Sequence, residues 1–209
     1  MATKSGTIVL DPGHGGTVKV GGSSPNNATS VSGIPEKQIT LQIARLTRDA
    51  IARRAVTEGH AIRVVLTREA DVNLALSERA RVAKANGANV FLSIHCNASE
   101  GHNARGVETL VRPTAAGNPN FADDRTFAAA IQNALFLTIS KADPATRNRG
   151  VKEQRLGVLR DSDLGPGVKA CLVELEFIDV KAGDDLLKSE QTRAAIADAL
   201  AGTLIDSLP

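Results

Sequence analysis

Short apolar runs alternate with amphipathic segments along the chain. Apolar, β-branched runs predict strands, and the first of them, at residues 7–10, ends directly in a turn-forming Asp-Pro-Gly-His-Gly-Gly cluster. The same kind of pattern predicts further strands at residues 60–67, 89–94, 107–111, 156–160 and 169–175.

Apolar residues at helical spacing predict the helices. Pro35 is expected to open the first helix, because its missing N–H costs nothing at that position. The residues that form the inward stripe of this helix are Ile39, Ile43, Leu46 and Ala50. Comparable patterns predict helices at residues 74–86, 121–139 and 183–204. Residues 17–34 lack periodicity and are predicted to be a long surface loop, and residues 141–149 a polar connector.

The alternation of strands and helices predicts an α/β fold. We expect a three-layer α/β/α arrangement around a mostly parallel central sheet of about six strands. The chain has 209 residues, which is long enough to bury a full core but too short for two independent domains to be expected. Residues 1–209 are therefore predicted to form a single domain.

Composition excludes several classes of protein. Hydrophobic residues make up 42% and charged residues 23% of the chain, which is typical of a globular protein and not of a disordered one. The net charge is only +2 and there is no run of Lys or Arg, so we expect no nucleic-acid partner. No apolar run approaches the roughly 20 residues of a spanning helix, so we expect no membrane insertion. Cys96 and Cys171 lie in apolar runs without metal spacing and are predicted to be free, buried thiols.

Three polar motifs follow predicted strands: DPGHGG at residues 11–16, SIHCNA at 93–98 and LVELEF at 172–177. In α/β sheets, functional residues gather beyond the carboxyl ends of the strands. His14 and His95 occupy two of these ends. Either histidine alone is more often structural, but two histidines and one carboxylate are a usual ligand set for catalytic zinc. The pair therefore favours a metal site over two separate structural histidines.

Glu36 is the candidate carboxylate ligand. It lies three residues before Ile39, on the same face as the buried stripe, where an unpaired carboxylate would be costly. Metal ligation would offset that cost. The alternative is a glutamate in the first turn of a helix that is stabilised only by the helix dipole.

Glu174 interrupts an apolar strand, so its carboxylate faces either a polar site or a buried arginine. Strand alternation places Glu176 on the same face, and two close carboxylates raise the pKa of at least one of them, which suits a proton carrier. Asn97, Arg149 and Glu176 are our candidates for contact with substrate. The alternative for Asn97 and Arg149, and for the Gly-Val-Glu triplet at 106–108, is a loop hydrogen bond or a solvated charge.

Several motifs in order resemble the zinc-dependent N-acetylmuramoyl-L-alanine amidases of the amidase type 3 family over nearly the whole chain. The motifs are IVLDPGHGG, EKQITLQIA, VVLTRE, SERARVAKANGANVFLSIHCNA, GVETLV, RNRGVKEQRLGVLRDS and KACLVELEFID. The resemblance implies that His14, Glu36 and His95 bind one zinc ion per chain and that Glu174 is the catalytic residue. It also implies the reaction: hydrolysis of the amide between the lactyl group of N-acetylmuramic acid and L-alanine of the peptidoglycan stem peptide, with lysis or remodelling of the cell wall.

The resemblance also leads to expectations about partners and location. Relatives that act in division carry an inserted helix that plugs the zinc site, whereas residues 113–124 are too few for such a helix. We therefore expect a monomer that acts on peptidoglycan without an activator protein. An initiating Met without a signal peptide predicts synthesis in the cytoplasm and action on the cell wall after release, as in a phage endolysin. The alternative is a catalytic domain excised from a larger secreted enzyme.

Two other functions remain open from the residues. A zinc peptidase that cuts within the stem peptide would use the same site chemistry. A non-catalytic wall-binding regulator would be expected to lack one ligand or the base, and this chain retains all four candidates, His14, Glu36, His95 and Glu174.

Overall fold

A computed structural model describes residues 3–209 of the chain. This part contains one sheet, whose strands are β1 (Ser5–Pro12), β2 (Ala61–Leu66), β3 (Val90–Asn97), β4 (Val107–Val111), β5 (Asn148–Glu153) and β6 (Lys169–Phe177). Its α-helices are α1 (Glu36–Glu58), α2 (Leu76–Ala85), α3 (Phe121–Ala142), α4 (Asp161–Leu164), α5 (Lys181–Lys188) and α6 (Glu190–Asp206).

The six strands of the described region lie in the order β2-β1-β3-β6-β4-β5. Every neighbouring pair is parallel except β4 and β6, which are antiparallel. The predicted mostly parallel sheet of about six strands is confirmed. Because β4 and β5 run opposite to the others, their amino ends share one edge of the sheet with the carboxyl ends of β1, β3 and β6. That edge carries the three polar motifs.

Helices cover both faces of the sheet, which confirms the three-layer arrangement. On one face α1, α3 and α6 pack over alternate strand residues such as Leu10 and Leu92. On the other face the residues between them, such as Val9 and Phe91, pack with α2 and α4. Burial of each such large apolar side chain contributes about 1.5–3 kcal/mol, so the two cores hold the edge of the sheet in place.

The local sequence explains where α1 begins and ends. Pro35 is extended and directly precedes the helix, and Gly59 ends it in the left-handed conformation, with a φ of 72°. Of the four residues predicted to form the inward stripe, Ile39, Ile43 and Ala50 are buried and Leu46 is partly exposed. Glu36 is therefore the first helical residue, held at the sheet edge by the packing of the helix behind it.

The predicted strand at residues 156–160 is wrong, and the strand at that edge of the sheet is β5, Asn148–Glu153. Val158 and Leu159 are buried in the core beneath α2 and α4, but they belong to a non-regular segment. The strand itself is polar because it lies at the edge of the sheet and is largely solvent-exposed. An apolar pattern indicates burial, not strand pairing. Here residues 156–160 contain the buried residues, and residues 148–153 pair with β4.

The predicted closing helix at residues 183–204 is two helices, α5 and α6. They are separated at Ser189, whose backbone is extended, with φ −65° and ψ 119°. Its Oγ accepts a hydrogen bond from the N–H of Thr192 and so caps α6. Serine is among the residues preferred at this position, which explains the break within an otherwise continuous apolar pattern.

The prediction for the two cysteines agrees with the structure. Cys96 and Cys171 are both free and buried. Within residues 3–209, every helix is too short or too polar to cross a bilayer.

Candidate functional site

The structure brings together the three residues predicted to bind a metal. His14 Nε2 lies 3.2 Å from Glu36 Oε2, and His95 Nδ1 lies 3.1 Å from Glu36 Oε1. One donor atom from each of the three lies within 4.8 Å of the others. In residues 3–209 this is the one cluster of histidine, cysteine and acidic side chains with metal-binding geometry.

Two of these residues stand close together because the residue before His14 is a glycine. Gly13 donates a hydrogen bond to the Ile94 carbonyl, so it lies against the end of β3. A Cβ atom at position 13 would overlap the imidazole ring of His95. His14 itself adopts a φ of 62°, which is uncommon outside glycine. The Gly-His pair thus turns the chain sharply and leaves room for the second histidine.

The long loop between His14 and Glu36 holds both side chains from outside. His14 Nδ1 lies 3.0 Å from the carbonyl oxygen and 3.0 Å from the Oγ of Ser24. The N–H of Ala28 donates to Glu36 Oε2 at 3.2 Å, and the N–H of Cys96 donates to Glu36 Oε1 at 3.0 Å. When His14 Nδ1 carries the proton and donates it to the Ser24 carbonyl, the lone pair of Nε2 is available to a metal. Histidines that bind a metal usually donate their other ring N–H in this way.

A buried ion pair between Arg79 and Asp11 stabilises the loop that carries His14. Arg79 Nη1 lies 2.9 Å from Asp11 Oδ1 and donates to the Pro12 carbonyl at 2.8 Å, and Arg79 Nη2 donates to the His14 carbonyl at 2.7 Å. Burial alone would raise the pKa of Asp11, but the charge of Arg79 and the hydrogen bonds from Thr67 and Ser93 act together to lower that pKa. Asp11 stands in the DPGHGG motif, but no local pattern in the sequence indicates this pair, because Arg79 lies 68 residues further along the chain.

The electrostatics of the cluster suit a cation. Burial would raise the pKa of Glu36, but hydrogen bonds with His14 and His95 lower it to about 2, so the carboxylate is ionised. Burial disfavours the charged form of His14, yet Glu36 raises the pKa of that histidine. A buried anion flanked by two imidazoles is the donor set of a zinc site, so these residues fit such an ion.

Glu174 lies beside this cluster. It pairs in register with His95 across β3 and β6 and with Glu108 across β6 and β4. Its Oε2 atom is buried and has no hydrogen-bond partner among residues 3–209, so the alternative of a buried arginine pair is not met. Burial raises the pKa of Glu174 well above the usual value, and the charges of Glu36 and Glu108 raise it further. A carboxylate in this environment has a higher affinity for a proton than an exposed one.

Glu176 is held by hydrogen bonds within the protein. This residue is fully buried, and both carboxylate oxygens are already engaged. Oε1 accepts hydrogen bonds from the N–H groups of Gly106 and Phe177, and Oε2 accepts from Thr146 Oγ1 and from Arg105. These hydrogen bonds join the segments that carry Gly106 and Thr146 to the end of β6. The carboxylates that raise the pKa of Glu174 are Glu36 and Glu108.

Asn97 and Arg149 both contact Glu108, which belongs to the Gly-Val-Glu triplet at 106–108. Asn97 Nδ2 donates to Glu108 Oε1 at 2.9 Å, and Arg149 Nε donates to Oε2 at 2.5 Å. Lys152 Nζ also lies 2.5 Å from Oε2. Burial would raise the pKa of Glu108, but Lys152 and Arg149 lower it, so this carboxylate is ionised.

A small cleft opens beside the histidines. Its volume is about 110 Å³, and it is lined in part by His14, His95, Ser24 and Leu76. A larger groove of about 1040 Å³ lies among α3, α5 and α6, but none of the candidate ligands lines it. The two candidate histidine ligands therefore border the small cleft at the sheet edge.

An α/β sheet with a His-Glu-His cluster and an unpaired carboxyl group at the strand ends is typical of a hydrolase. Comparison with known families agrees. Residues 8–206 match the model of the family Amidase_3, described as N-acetylmuramoyl-L-alanine amidase. The chain belongs to this family, as its motifs predicted.

Individual relatives have similar descriptions. The chain is 30% identical to the N-acetylmuramoyl-L-alanine amidase CwlM of Bacillus licheniformis over 91% of its length, and 31% identical to the endolysin of Bacillus phage SPP1 over 96%. It spans 64% and 65% of these two relatives, and 35% of a Bacillus anthracis cell wall amidase. Among solved structures, the CwlD amidase of Clostridioides difficile in complex with the GerS lipoprotein is 26% identical. Its TM-score is 0.77, with 97% of this chain and 98% of that chain covered.

Proposed function

We propose that the chain hydrolyses the amide bond between the lactyl group of N-acetylmuramic acid and L-alanine of the peptidoglycan stem peptide, with one zinc ion held by His14, Glu36 and His95. The observation that carries this proposal is the His-Glu-His cluster, with donor atoms within 4.8 Å, next to a carboxyl group that has no partner in residues 3–209. Membership of the amidase family supports the choice of bond.

Glu174 is the proton carrier in this proposal. Zinc, when bound, supplies polarisation of the scissile carbonyl and of a water molecule. Glu174 accepts a proton from the attacking water as the water oxygen forms a bond to the lactyl carbonyl carbon and the carbonyl π electrons move to the carbonyl oxygen. The same carboxyl then donates the proton to the alanine nitrogen as the C–N bond breaks, because an unprotonated amine leaves poorly. The buried Oε2 and the raised pKa of Glu174 suit a group that must hold a proton between these steps.

Burial keeps the ligand set in place for this role. Glu36 is 1% exposed and His14 8% exposed, so neither side chain can rotate into solvent without disrupting the loop around it. The Ser24 and Ala28 backbone groups orient the two side chains before any ion binds. Such pre-organisation supports tight binding of a single cation.

We further propose a single-domain monomer that acts on the cell wall without an activator protein, in the manner of an endolysin. The segment between β4 and α3 holds only the short 3₁₀ turn Thr114–Ala116, with no inserted helix between residues 111 and 121. His95 is 17% exposed, which supports direct access to the cluster. The similarity to a phage endolysin supports the same view. The CwlD amidase was solved in complex with a lipoprotein, so the test must also detect a need for a partner protein.

The experiment is a digest of purified peptidoglycan, with products identified by mass spectrometry. Four samples are compared: the untreated protein, the chelated protein, the chelated protein with zinc restored, and Glu174→Ala. We expect intact stem peptides with a free L-alanine amine from the first and third samples only. Products cut inside the stem would instead identify a peptidase. A protein that binds peptidoglycan but releases nothing in any sample would identify a wall-binding regulator or the need for an activator.

A further inference from the structure

A bulge in β5 places two cations on the same face of the sheet. Along β4 the chain advances two residues, from Val107 to Thr109, while β5 advances three, from Asn148 to Val151. Gly150 permits the extra residue by adopting a φ of 76°. In a regular strand, residues three apart point to opposite faces, but the bulge turns Arg149 and Lys152 to the same face.

Both cations share one carboxylate. Arg149 Nε and Lys152 Nζ each lie 2.5 Å from the same oxygen, Glu108 Oε2. The other oxygen of Glu108 accepts from Asn97. In residues 3–209 the Nη atoms of Arg149 have no hydrogen-bond acceptor, and the guanidinium lies 4.9 Å above the ring of Phe177. One negative charge against two positive charges leaves a net positive charge at this point.

These cations are accessible. The side chain of Arg149 is 32% exposed and that of Lys152 is 43% exposed, whereas Glu108 beneath them is 10% exposed. Glu108 therefore lies beneath the two cations, which form the exposed part of the cluster. A planar guanidinium with unused N–H donors is well suited to bind a carboxylate.

The cluster lies in line with the candidate active site. His95 pairs in register with Glu174, and Glu174 pairs with Glu108, so these residues form a row across β3, β6 and β4 on one face. Arg149 and Lys152 continue the row on β5. Neighbouring strands lie about 4.8 Å apart, which places the cations roughly 10 Å from Glu174. An extended peptide rises about 3.3 Å per residue, so this separation corresponds to about three residues.

We propose that Arg149 and Lys152 bind a carboxylate of the peptide part of the substrate, two to three residues beyond the scissile amide. This proposal rests on the proposed function, because the amide at the cluster sets the position of the peptide. The N-acetylated sugar part carries no charge once its lactyl group is in amide linkage, so the anionic part of the substrate is the peptide. The peptide then extends across the sheet toward β5, and the glycan lies on the opposite side of the cleft.

The test uses three N-acetylmuramoyl tripeptides of equal length. The first has glutamine at its second residue and a C-terminal amide, the second replaces that glutamine with glutamate, and the third has a free C-terminal carboxylate instead. We expect the wild type to show a kcat/KM about tenfold to a hundredfold higher for one of the two acidic substrates than for the neutral one. Arg149→Gln and Lys152→Gln are expected to abolish this preference, measured as the ratio of kcat/KM for the acidic substrate to kcat/KM for the neutral one. Arg53→Gln, which changes an arginine on α1 outside the site, retains the preference and serves as the matched control.

A wild type that treats the three substrates alike would overturn the proposal, as would variants that lose activity on all three equally. Calorimetric binding of the three matching free peptides separates this failure from failure of the proposed function. If no substrate is cleaved but an acidic peptide binds more tightly to the wild type than to Arg149→Gln, the cation site stands and the amidase assignment falls. If the acidic and neutral peptides bind equally, the cation site falls whatever the hydrolysis result.

Discussion

The guanidinium of Arg79 lies buried beneath the loop that carries His14, and its Nη2 donates a 2.7 Å hydrogen bond to the His14 carbonyl. The same side chain forms the ion pair with Asp11 at the end of β1. The position of one candidate ligand therefore depends on a residue of α2 rather than on the strand that precedes it.

Arg79→Met is expected to lower the free energy of unfolding by about 3–5 kcal/mol, because it leaves the Asp11 carboxylate buried without its partner. Zinc affinity is expected to fall as well, since the loop of His14 loses its support. Urea unfolding and zinc titration measure the two effects. Arg81→Met, two residues along the same helix with a side chain 63% exposed, is the matched control and is expected to change stability by less than about 1 kcal/mol. Equal effects of both substitutions would contradict the role of Arg79.

Gly13→Ala is expected to weaken zinc binding about tenfold to a hundredfold, because the new methyl group overlaps the His95 ring and displaces it. The same overlap is expected to cost about 1–3 kcal/mol of stability. Competition with a metal-sensitive dye gives the affinity. Gly101→Ala is the control, since the Cβ at position 101 would meet only the side chain of Asn103. Unchanged affinity in Gly13→Ala would show that the His95 ring moves without consequence for the site.

Glu174→Gln is expected to reduce turnover by about 10²- to 10⁴-fold while zinc binding is retained. The variant is expected to unfold at the same temperature or higher, because burial raises the pKa of Glu174 and the neutral amide avoids the cost of an ionised carboxylate. Turnover, zinc content and thermal unfolding are measured on the same preparation. Glu69→Gln, with a side chain 69% exposed, controls for loss of a surface charge. Full activity in Glu174→Gln would assign the proton transfer to another group.

Asp124 provides a test of pH dependence away from the site. Burial raises its pKa from 3.8 to about 6, although hydrogen bonds from Ala170 and Asn118 oppose the shift. Because the pKa of Asp124 is higher in the folded state than in the unfolded state, ionisation of this group lowers the free energy of unfolding. That loss disappears as the pH falls from about 7 toward 4. The full difference is on the order of 3 kcal/mol.

Titration of Asp124 by NMR measures this pKa directly, and unfolding of wild type and Asp124→Asn across pH 4–7 measures the linkage. In Asp124→Asn, the side-chain NH₂ group faces the N–H group of either Ala170 or Asn118, both of which donate to Asp124 in the wild type. This mismatch lowers the free energy of unfolding by the same amount at every pH. The wild type is therefore expected to gain stability relative to the variant as the pH falls. A difference that does not vary with pH would place the pKa of Asp124 in its ordinary range.

Much of the fold could be predicted, because buried elements carry an apolar pattern. Strands β1, β3 and β6 lie in the middle of the sheet, and their apolar residues show where they are. Strand β5 lies at the edge, so its sequence is polar and its position was predicted wrongly. The break at Ser189 was also missed, because the apolar spacing continues across it and only the backbone angles at one residue interrupt the helix.

The sequence by itself determined the identity and order of the chemical groups near the site. His14 and His95 follow buried strands whose carboxyl ends lie at one edge of a parallel sheet, so their location at the same edge was predictable. Their direct contact with Glu36 also needs β1 and β3 to be neighbours, which only the structure shows. Tertiary structure alone decided which groups pair with one another. The contacts of Arg79 with Asp11, of Glu176 with Thr146, and of Glu108 with the cations on the β5 bulge all join residues far apart in sequence. Local periodicity reports which face of an element is buried, but a buried charge is stabilised by whichever partner the packed strands bring within reach.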